Sequence, residues 1–458
     1  MNKLNLSAKW IWTDNNKTPD ARVVFRKTLE LDAILAECIA YLAVDTKYWL
    51  YINGKQVVFE GGLFRENLKG CSYADRVDLA PFLAPGKNVI SVLCWFYGNG
   101  GRNNTDSTQA GFLMDCPDRE RGQWIGDVSV QLPQVGFVLD SNALLLAKKC
   151  IGDFIHLRDG DILRGNVPGQ NSSELPSQSL NAIGSLGMIA TYYRYTRDKS
   201  VLELCFEPCI RYLKLWELDE NGLVRCRKGN WPWIDHLHNI DAPVCENAWY
   251  YMALEFMQFM AEELADHRFD EFIEMRRTSL KENFEKTFWN GHCFASSDFV
   301  DDRANALAVL ASLCGPEKYE AMRYILLTTF NSTVYMENYV LLALCRMGYV
   351  EDAYHRMVSR YTNLALNENS TLWEDFFILG SRNHAWTGAP ITIAYQYFMG
   401  IDTNDGFETM TVTPNKTLFK KMACTVNGKD GLIHMKVDNV AGRVTVINGS
   451  KTRVTVQY

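Results

Sequence analysis

The chain has 458 residues, 47% hydrophobic and 22% charged, and its 47 basic and 54 acidic side chains leave a net charge of −7. This is the composition of a soluble globular protein of about two to four domains with ample material for a large core. With no basic block in it, the charge excludes nucleic acid and an anionic membrane surface as expected partners.

Met1-Asn-Lys-Leu-Asn-Leu-Ser-Ala-Lys-Trp10 lacks the apolar core of a signal peptide, and no later run is long enough to span a membrane. The 13 cysteines are scattered, with no C-x-x-C pair; Cys205 and Cys209, one helical turn apart, read as core thiols. Reduced thiols and a cytoplasmic location are expected. There is no zinc spacing, P-loop or dinucleotide fingerprint, so neither metal nor cofactor is expected. The 12 Trp, 21 Tyr and 23 Phe supply large cores and also suit faces that stack on sugars.

Residues 1–114 are β-rich. Arg22–Leu29, Ala40–Val44 and Tyr48–Ile52 read as strands, and Asn53-Gly54 is a tight turn into a further strand at Lys55–Phe59. Pro85-Gly86 turns into Asn88–Cys94, and Gly111–Met114 is one more short strand. Short strands at this spacing predict a β-sandwich. The glycine-rich Gly98-Asn-Gly-Gly-Arg-Asn-Asn104 is not followed by a lysine-bearing helix start, and reads as a loop rather than a phosphate cradle.

Next comes Asp115-Cys-Pro-Asp-Arg-Glu-Arg-Gly-Gln-Trp-Ile-Gly-Asp127, where four acids, two arginines and a tryptophan lie within 13 residues. Its proline and glycines predict a loop ending at a helix start near Gly126-Asp127. A solvated charge run seldom carries a tryptophan and an isoleucine among its acids, so chemistry and ordinary surface charge are both live readings of this loop. From there, helical character is predicted near 126–137, 139–157, 176–197, 199–216, 244–266, 268–288, 302–313, 316–330, 335–347, 350–361 and 386–400. Many of these segments are apolar over more than one narrow stripe, as in helices packed on two sides. Eleven helices joined mostly by short loops could close in pairs into an α/α toroid with a central pocket. From about residue 404 strands return at 409–414, 432–437, 443–447 and 452–457, with Asn427-Gly428 and Asn448-Gly449 as turns.

Two loops between helices carry the chemistry-bearing residue types. In Lys228-Gly-Asn-Trp-Pro-Trp-Ile-Asp-His-Leu-His238, Trp231 and Trp233 could stack on a sugar whose hydroxyls Asp235 and a histidine would bind. His236 and His238 with no third ligand are a poor metal site. In the second loop Glu374 and Asp375 lie between Trp373 and Phe376, followed by Asn383-His384. A carboxylate in apolar surroundings suits a general acid or base, although an acid pair capping a helix beside a buried aromatic has the same pattern. His384 is the histidine best placed for a site.

Ala8-Lys-Trp-Ile-Trp12, Phe25-Arg-Lys27 and Leu50-Tyr-Ile-Asn-Gly-Lys55 resemble the N-terminal β-sandwich of bacterial α-L-rhamnosidases. Asp-Cys-Pro-x-Arg-Glu-Arg-x-x-Trp-x-Gly-Asp, from Asp115, and Thr371-Leu-Trp-Glu-Asp375 resemble that family's signatures, and the likeness runs over nearly the whole chain. The resemblance implies a β-rich N-terminal region at 1–114, an (α/α)6 barrel at 115–403 and a small C-terminal β-sandwich at 404–458. It implies an inverting hydrolase of terminal α-L-rhamnose or a related sugar, with Glu120 as general acid and Glu374 as general base. Asp115, Arg119, Trp124 and Asp127 would surround the sugar, joined by Trp231, Trp233, Asp235 and His384. Inversion requires the two carboxylates to stand about 6.5–9.5 Å apart.

One departure stands out. Gly111-Phe-Leu-Met-Asp115 runs from a strand straight into the signature, so the chain reads as a shortened member. Either its barrel lacks the first helix or part of 90–114 takes that place. Two other functions stay open: a non-catalytic carbohydrate-binding protein, and another α/α-toroid enzyme such as a lyase or phosphorylase. A homo-oligomer is compatible with each.

Overall fold

The computed structural model describes residues 10–13, 18–31, 39–62, 74–98, 110–113, 123–139, 141–167, 174–236, 239–367, 371–377, 384–403 and 405–458. The chain divides into two compact units, Met1–Gln123 with Asn166–Ser172, and Trp124–Gly165 with Ser173–Tyr458.

The first unit holds strands β1 (Ala21–Leu31), β2 (Ile39–Asp45), β3 (Lys47–Ile52), β4 (Lys55–Gly61), β5 (Asp75–Asp78), β6 (Gly86–Phe96) and β7 (Gly111–Leu113). They form a four-stranded sheet in the order β1-β6-β3-β4 and a three-stranded sheet in the order β5-β2-β7. Alternate residues of β6, among them Ile90, Val92 and Cys94, turn inward and share one core with Leu42 and Val44 of β2 and Phe112 of β7. The β3–β4 hairpin turns at Asn53-Gly54, as the sequence predicts. The Asn53 side chain secures it, donating to Asn88 Oδ1 (2.8 Å) and accepting from the Val89 amide (2.9 Å).

The second unit is built from α1 (Ile125–Val138), α2 (Ser141–His156), α3 (Pro176–Ile183), α4 (Met188–Thr196), α5 (Lys199–Leu213), α6 (Ala242–Leu264), α7 (Asp270–Phe288), α8 (Asp302–Leu310), α9 (Tyr319–Thr328), α10 (Val334–Arg346), α11 (Val350–Ala365) and α12 (Pro390–Ile393). A 3-10 turn, Ala385–Gly388, leads into α12, and a π turn, Ala394–Phe398, prolongs it.

Burial sorts these helices into two rings. Every residue of α3 and α8 is buried, and nearly every residue of α10. By contrast α7 buries only Ile273, Leu280, Phe284 and Phe288, the narrow stripe of a helix with one face in water. The inner members pack in sequence, α1 on α3 and α4, α3 on α6, α6 on α8, and α8 on α10. The segment from Ala385 through α12 touches both α10 and α1 and closes the ring. Outside it α2 lies on α1 and α4, α5 on α4 and α6, α7 on α6, α9 on α8 and α11 on α10. Among the described residues no outer helix stands between α12 and α1. The result is an α/α toroid.

The segment expected as one helix over 176–197 is two, α3 and α4. The chain breaks at Gly184–Gly187, where a Cβ on Gly187 would lie 2.0 Å from the carbonyl oxygen of Asn181. Only glycine can fold back onto the end of α3 so closely.

The C-terminal strands form two sheets. Ile401–Asp402, Thr409–Val412 and Arg453–Val456 make one, and Lys421–Gly428, Gly431–Asp438 and Arg443–Asn448 the other. Their inward residues Met410, Val412, Val426, Ile433, Met435 and Val437 share a core with Phe137 of α1 and Tyr195 of α4. The turn expected at Asn427-Gly428 lies two residues later, because Lys421–Gly428 is itself a strand paired from Lys421↔Asp438 to Gly428↔Gly431. Its inward positions Met422, Cys424 and Val426 alternate with Ala423 and Thr425, and the Asn427-Gly428 pair at its end mimics a turn.

Candidate active site

The N-terminal ends of the inner helices meet at one mouth of the toroid. Gln178 in the first turn of α3 accepts a hydrogen bond from the Tyr335 hydroxyl in the first turn of α10. Asp241, the N-cap of α6, donates its amide to Asp301, the N-cap of α8, at 3.0 Å. Asp127 in the first turn of α1 meets His384, the residue before the turn that leads to α12. Helix N-termini carry partial positive charge, so acids are favoured at this end.

Glu374 is the centre of the arrangement. His384 stands between two carboxylates, its Nε2 at 2.9 Å from Asp127 Oδ1 and its Nδ1 at 3.7 Å from Glu374 Oε2. On the other side His236 Nε2 lies 3.5 Å from Glu374 Oε1. The loop backbone is tied down as well: His384 donates its amide to the Leu372 carbonyl (3.0 Å), and the Trp386 indole donates to the Glu374 carbonyl (2.9 Å). The Thr387 hydroxyl bonds the Trp373 carbonyl at 2.5 Å. Glu374 and His384 keep 20% and 17% of their side-chain surface, so both can reach a ligand.

Aromatic rings wall this cluster. Trp233 and Trp386 lie parallel with centroids 6.1 Å apart, and Tyr335 is 5.2 Å from each. His236 meets Trp233 edge-on at 5.4 Å, and His384 lies 4.2 Å from Trp386. Gly126 shows why the helix start beside Asp127 carries no side chain: a Cβ there would fall 2.2 Å from Gln178 Oε1. An apolar wall with a few converging polar groups is what a sugar site requires.

Of the residues singled out from sequence, Asp127, Trp233, Glu374 and His384 come together here. Trp124 is half-buried directly before α1, and Trp231 is half-buried beside Trp233, with ring centroids 6.2 Å apart. Asp235 does not face the mouth. Its side chain is fully buried and accepts from the Thr333 amide (2.8 Å), the Thr333 hydroxyl and the His236 amide (3.0 Å), with Arg303 at 3.4 Å. Burial raises its carboxyl above the ordinary value, against those donors. It positions the Trp233–His236 loop against α10 from behind. Asp375 likewise turns inward and caps the Phe377 amide at 2.7 Å.

Asp115, Arg119 and Glu120 lie outside the described residues, as do His238 and most of the glycine-rich stretch at 98–104. Sequence reasoning passed over Gln178, Tyr335 and Trp386, and weighed a histidine of the His236 loop as a sugar contact without choosing between His236 and His238. Gln178 and Tyr335 sit within uniformly buried helices, where no local pattern separates them from core. Trp386, two residues after His384, could have been found from its spacing. Among the described residues no group of three or more His, Cys, Asp or Glu side chains could hold a metal ion, and no helix is long and apolar enough to cross a membrane.

Residues 101–398 match the family described as the bacterial alpha-L-rhamnosidase 6 hairpin glycosidase domain. The chain belongs to that family. At family level it is a glycoside hydrolase. Its fold is similar to the α-L-rhamnosidase of Dictyoglumus thermophilum, with a TM-score of 0.69 and 13% identity over 99% of this chain and 81% of that one. A family GH78 rhamnosidase of Bacillus sp. GL1 gives 0.64 at 14% identity, over 98% of this chain and 54% of that one. An α-L-rhamnosidase of Streptomyces avermitilis, solved with L-rhamnose, gives 0.61 at 11% identity, over 91% and 65% of the two chains. These shares fit a shortened member. No curated protein matches the chain in sequence.

Proposed function

We propose that the chain is an inverting glycosidase that removes terminal α-L-rhamnose, or a related sugar, from glycosides. The observation that carries this is Glu374: a partly exposed carboxylate at the mouth of the toroid, between two histidines and beside an aromatic wall. In this reading Glu374 is the general base, taking a proton from the water that attacks the anomeric carbon. Glu120 is the general acid, protonating the glycosidic oxygen as the bond breaks. Inversion follows if the two carboxyls stand about 6.5–9.5 Å apart across the sugar, which leaves room for that water. His384, held by Asp127, fixes the Glu374 carboxylate, and Trp233 with Trp386 offers a face to the sugar ring. Asp115, Arg119, Trp124 and Trp231 are proposed as further sugar contacts.

The fold fits a shortened (α/α)6 barrel, since among the described residues no outer helix precedes α1, with domain limits near 114 and 404. The cysteines of the described residues are all free, which suits a reducing compartment.

The test is hydrolysis of an aryl α-L-rhamnoside, with NMR of the first-formed anomer. Glu120→Gln and Glu374→Gln should each lower kcat by about 10²–10⁴-fold or more while folding is retained, and the first product should be the β anomer. A near-wild-type rate in either variant removes that residue from its role. Rhamnose binding by calorimetry with no turnover would instead mark a carbohydrate-binding protein, and an unsaturated product or a phosphate requirement would mark a lyase or phosphorylase.

A further inference from the structure

The opposite end of the toroid holds a cavity that the glycosidase reading does not use. Its volume is about 430 Å³, within the range of small-molecule sites, and its walls come from α4, α6 and the C-terminal ends of α8 and α10. One side is apolar: Met252, Phe256 and Phe259 of α6, with the two phenyl rings stacked at 5.7 Å and 18°. Phe259 keeps 37% of its surface exposed at the rim.

The other side is cationic. Arg194, Arg197 and Arg346 all line the cavity. Arg197 is taken by Glu263 at 3.4 Å, and the cavity's own acid, Glu255, is taken by Arg277 at 3.0 Å. Arg194 and Arg346 differ from these. Among the described residues each hydrogen-bonds only to a backbone carbonyl, Arg194 to Ser185 (3.4 Å) and Arg346 to Leu310, and neither has a carboxylate partner.

An arginine at a helix C-terminus is favoured by the carbonyls there, which would explain a single one. Two guanidiniums on separate inner helices are a different matter. They line one cavity, each with a single hydrogen bond among the described residues, opposite a stacked aromatic pair, in the arrangement that recognises an anion attached to a ring. We propose that this cavity binds a small ring compound bearing a phosphate or a carboxylate, with the anion on Arg194 and Arg346 and the ring against Phe256 and Phe259.

Calorimetry of the full chain at low salt tests this with phenyl phosphate, benzoate and the neutral phenyl β-D-glucopyranoside as probes. Phenyl phosphate or benzoate should bind with a Kd below about 1 mM, and the tighter of the two identifies the anion. Arg194→Gln and Arg346→Gln should each weaken that binding at least about tenfold, whereas Glu374→Gln should leave it unchanged. Arg346→Gln could fail to fold for want of its bond to Leu310; Arg194→Gln and the rim variant Phe259→Ala then carry the test, both with weakened binding expected. The proposal is overturned if neither anion binds, if the neutral glucoside binds as tightly, or if Arg194→Gln binds like the parent chain. None of these outcomes depends on whether the chain hydrolyses rhamnosides.

Discussion

Two sets of acids stand at the same end of the toroid and are held in opposite ways. At the mouth Asp127 and Glu374 keep 21% and 20% of their side-chain surface and face His384 and His236. Beneath them Asp235, Asp301, Asp302 and Glu337 have none exposed and face Arg303 and Arg356. The difference lies in the partner. A guanidinium stays charged at any working pH, so an acid paired with it in the interior is held in a fixed ion pair that ties helices together, even where burial raises the carboxyl, as at Asp235 and Asp302. A histidine can be neutral, and the carboxylate it orients is then left able to take up a proton. Burial and the identity of the partner separate scaffold from chemistry among residues that look alike in the sequence.

The largest expected effect is on the buried set. Arg356 donates to Asp302 (2.7 Å) and to both oxygens of Glu337 (2.7 and 2.8 Å), linking α8, α10 and α11. Burial acts to raise the Glu337 carboxyl, and Arg356 overrides it, leaving it below the ordinary value. Arg356→Met leaves the buried Asp302 without its cation and Glu337 with only Arg360 at 3.5 Å, and should cost about 3–5 kcal/mol in urea unfolding. A loss under about 1 kcal/mol would break the contrast.

A buried acid with no arginine ion pair among the described residues sharpens it. Glu246 on α6 accepts from the Ser177 hydroxyl at 2.7 Å, and burial pushes its carboxyl up to about 7. The unfolded chain releases that proton near pH 4.3, so between roughly 4.3 and 7 the folded state holds more protons and stability falls as pH rises. Glu246→Gln should remove that fall, raising stability above pH 7 by on the order of 3 kcal/mol and changing it little near pH 4. Unfolding curves at pH 4 and 8 decide it; an unchanged slope with pH would count against the assignment.

The smallest effect falls at the mouth and is read in activity. His384→Ala should lower kcat/KM roughly 10- to 100-fold, from the loss of the ring that is hydrogen-bonded to Asp127 and lies 3.7 Å from Glu374, an effect of about 1.5–3 kcal/mol. Stability should move by less than about 1 kcal/mol, because the ring is partly exposed. If stability drops by as much as in Arg356→Met, His384 belongs with the scaffold.

Much of this was legible in the sequence because it is periodic or local. Most of the helical segments were readable from their apolar spacing, although 176–197 proved to be two helices and 386–400 a 3-10 turn, a short α-helix and a π turn. The hairpin at Asn53-Gly54 and the helix start at Gly126-Asp127 rest on local backbone preferences. Asp235 misled because an acid between Trp233 and His236 has the composition of a sugar site. Only the approach of Thr333 and Arg303, 98 and 68 residues away, turns it inward. Tyr335 and Gln178 stayed invisible for the same reason, being separated by 157 residues and joined only across the ring.

By itself the sequence determined most of the helices and strands, the signature that marks the family and the residue types at the mouth. Those depend on periodicity, turn chemistry and motif, which act over a few residues. The tertiary structure alone decided which acids meet histidine and which meet arginine, that the inner ring closes through α12 onto α1, and that two arginines share a cavity at the far end. Partner and burial are properties of contacts between distant segments, and no local pattern carries them.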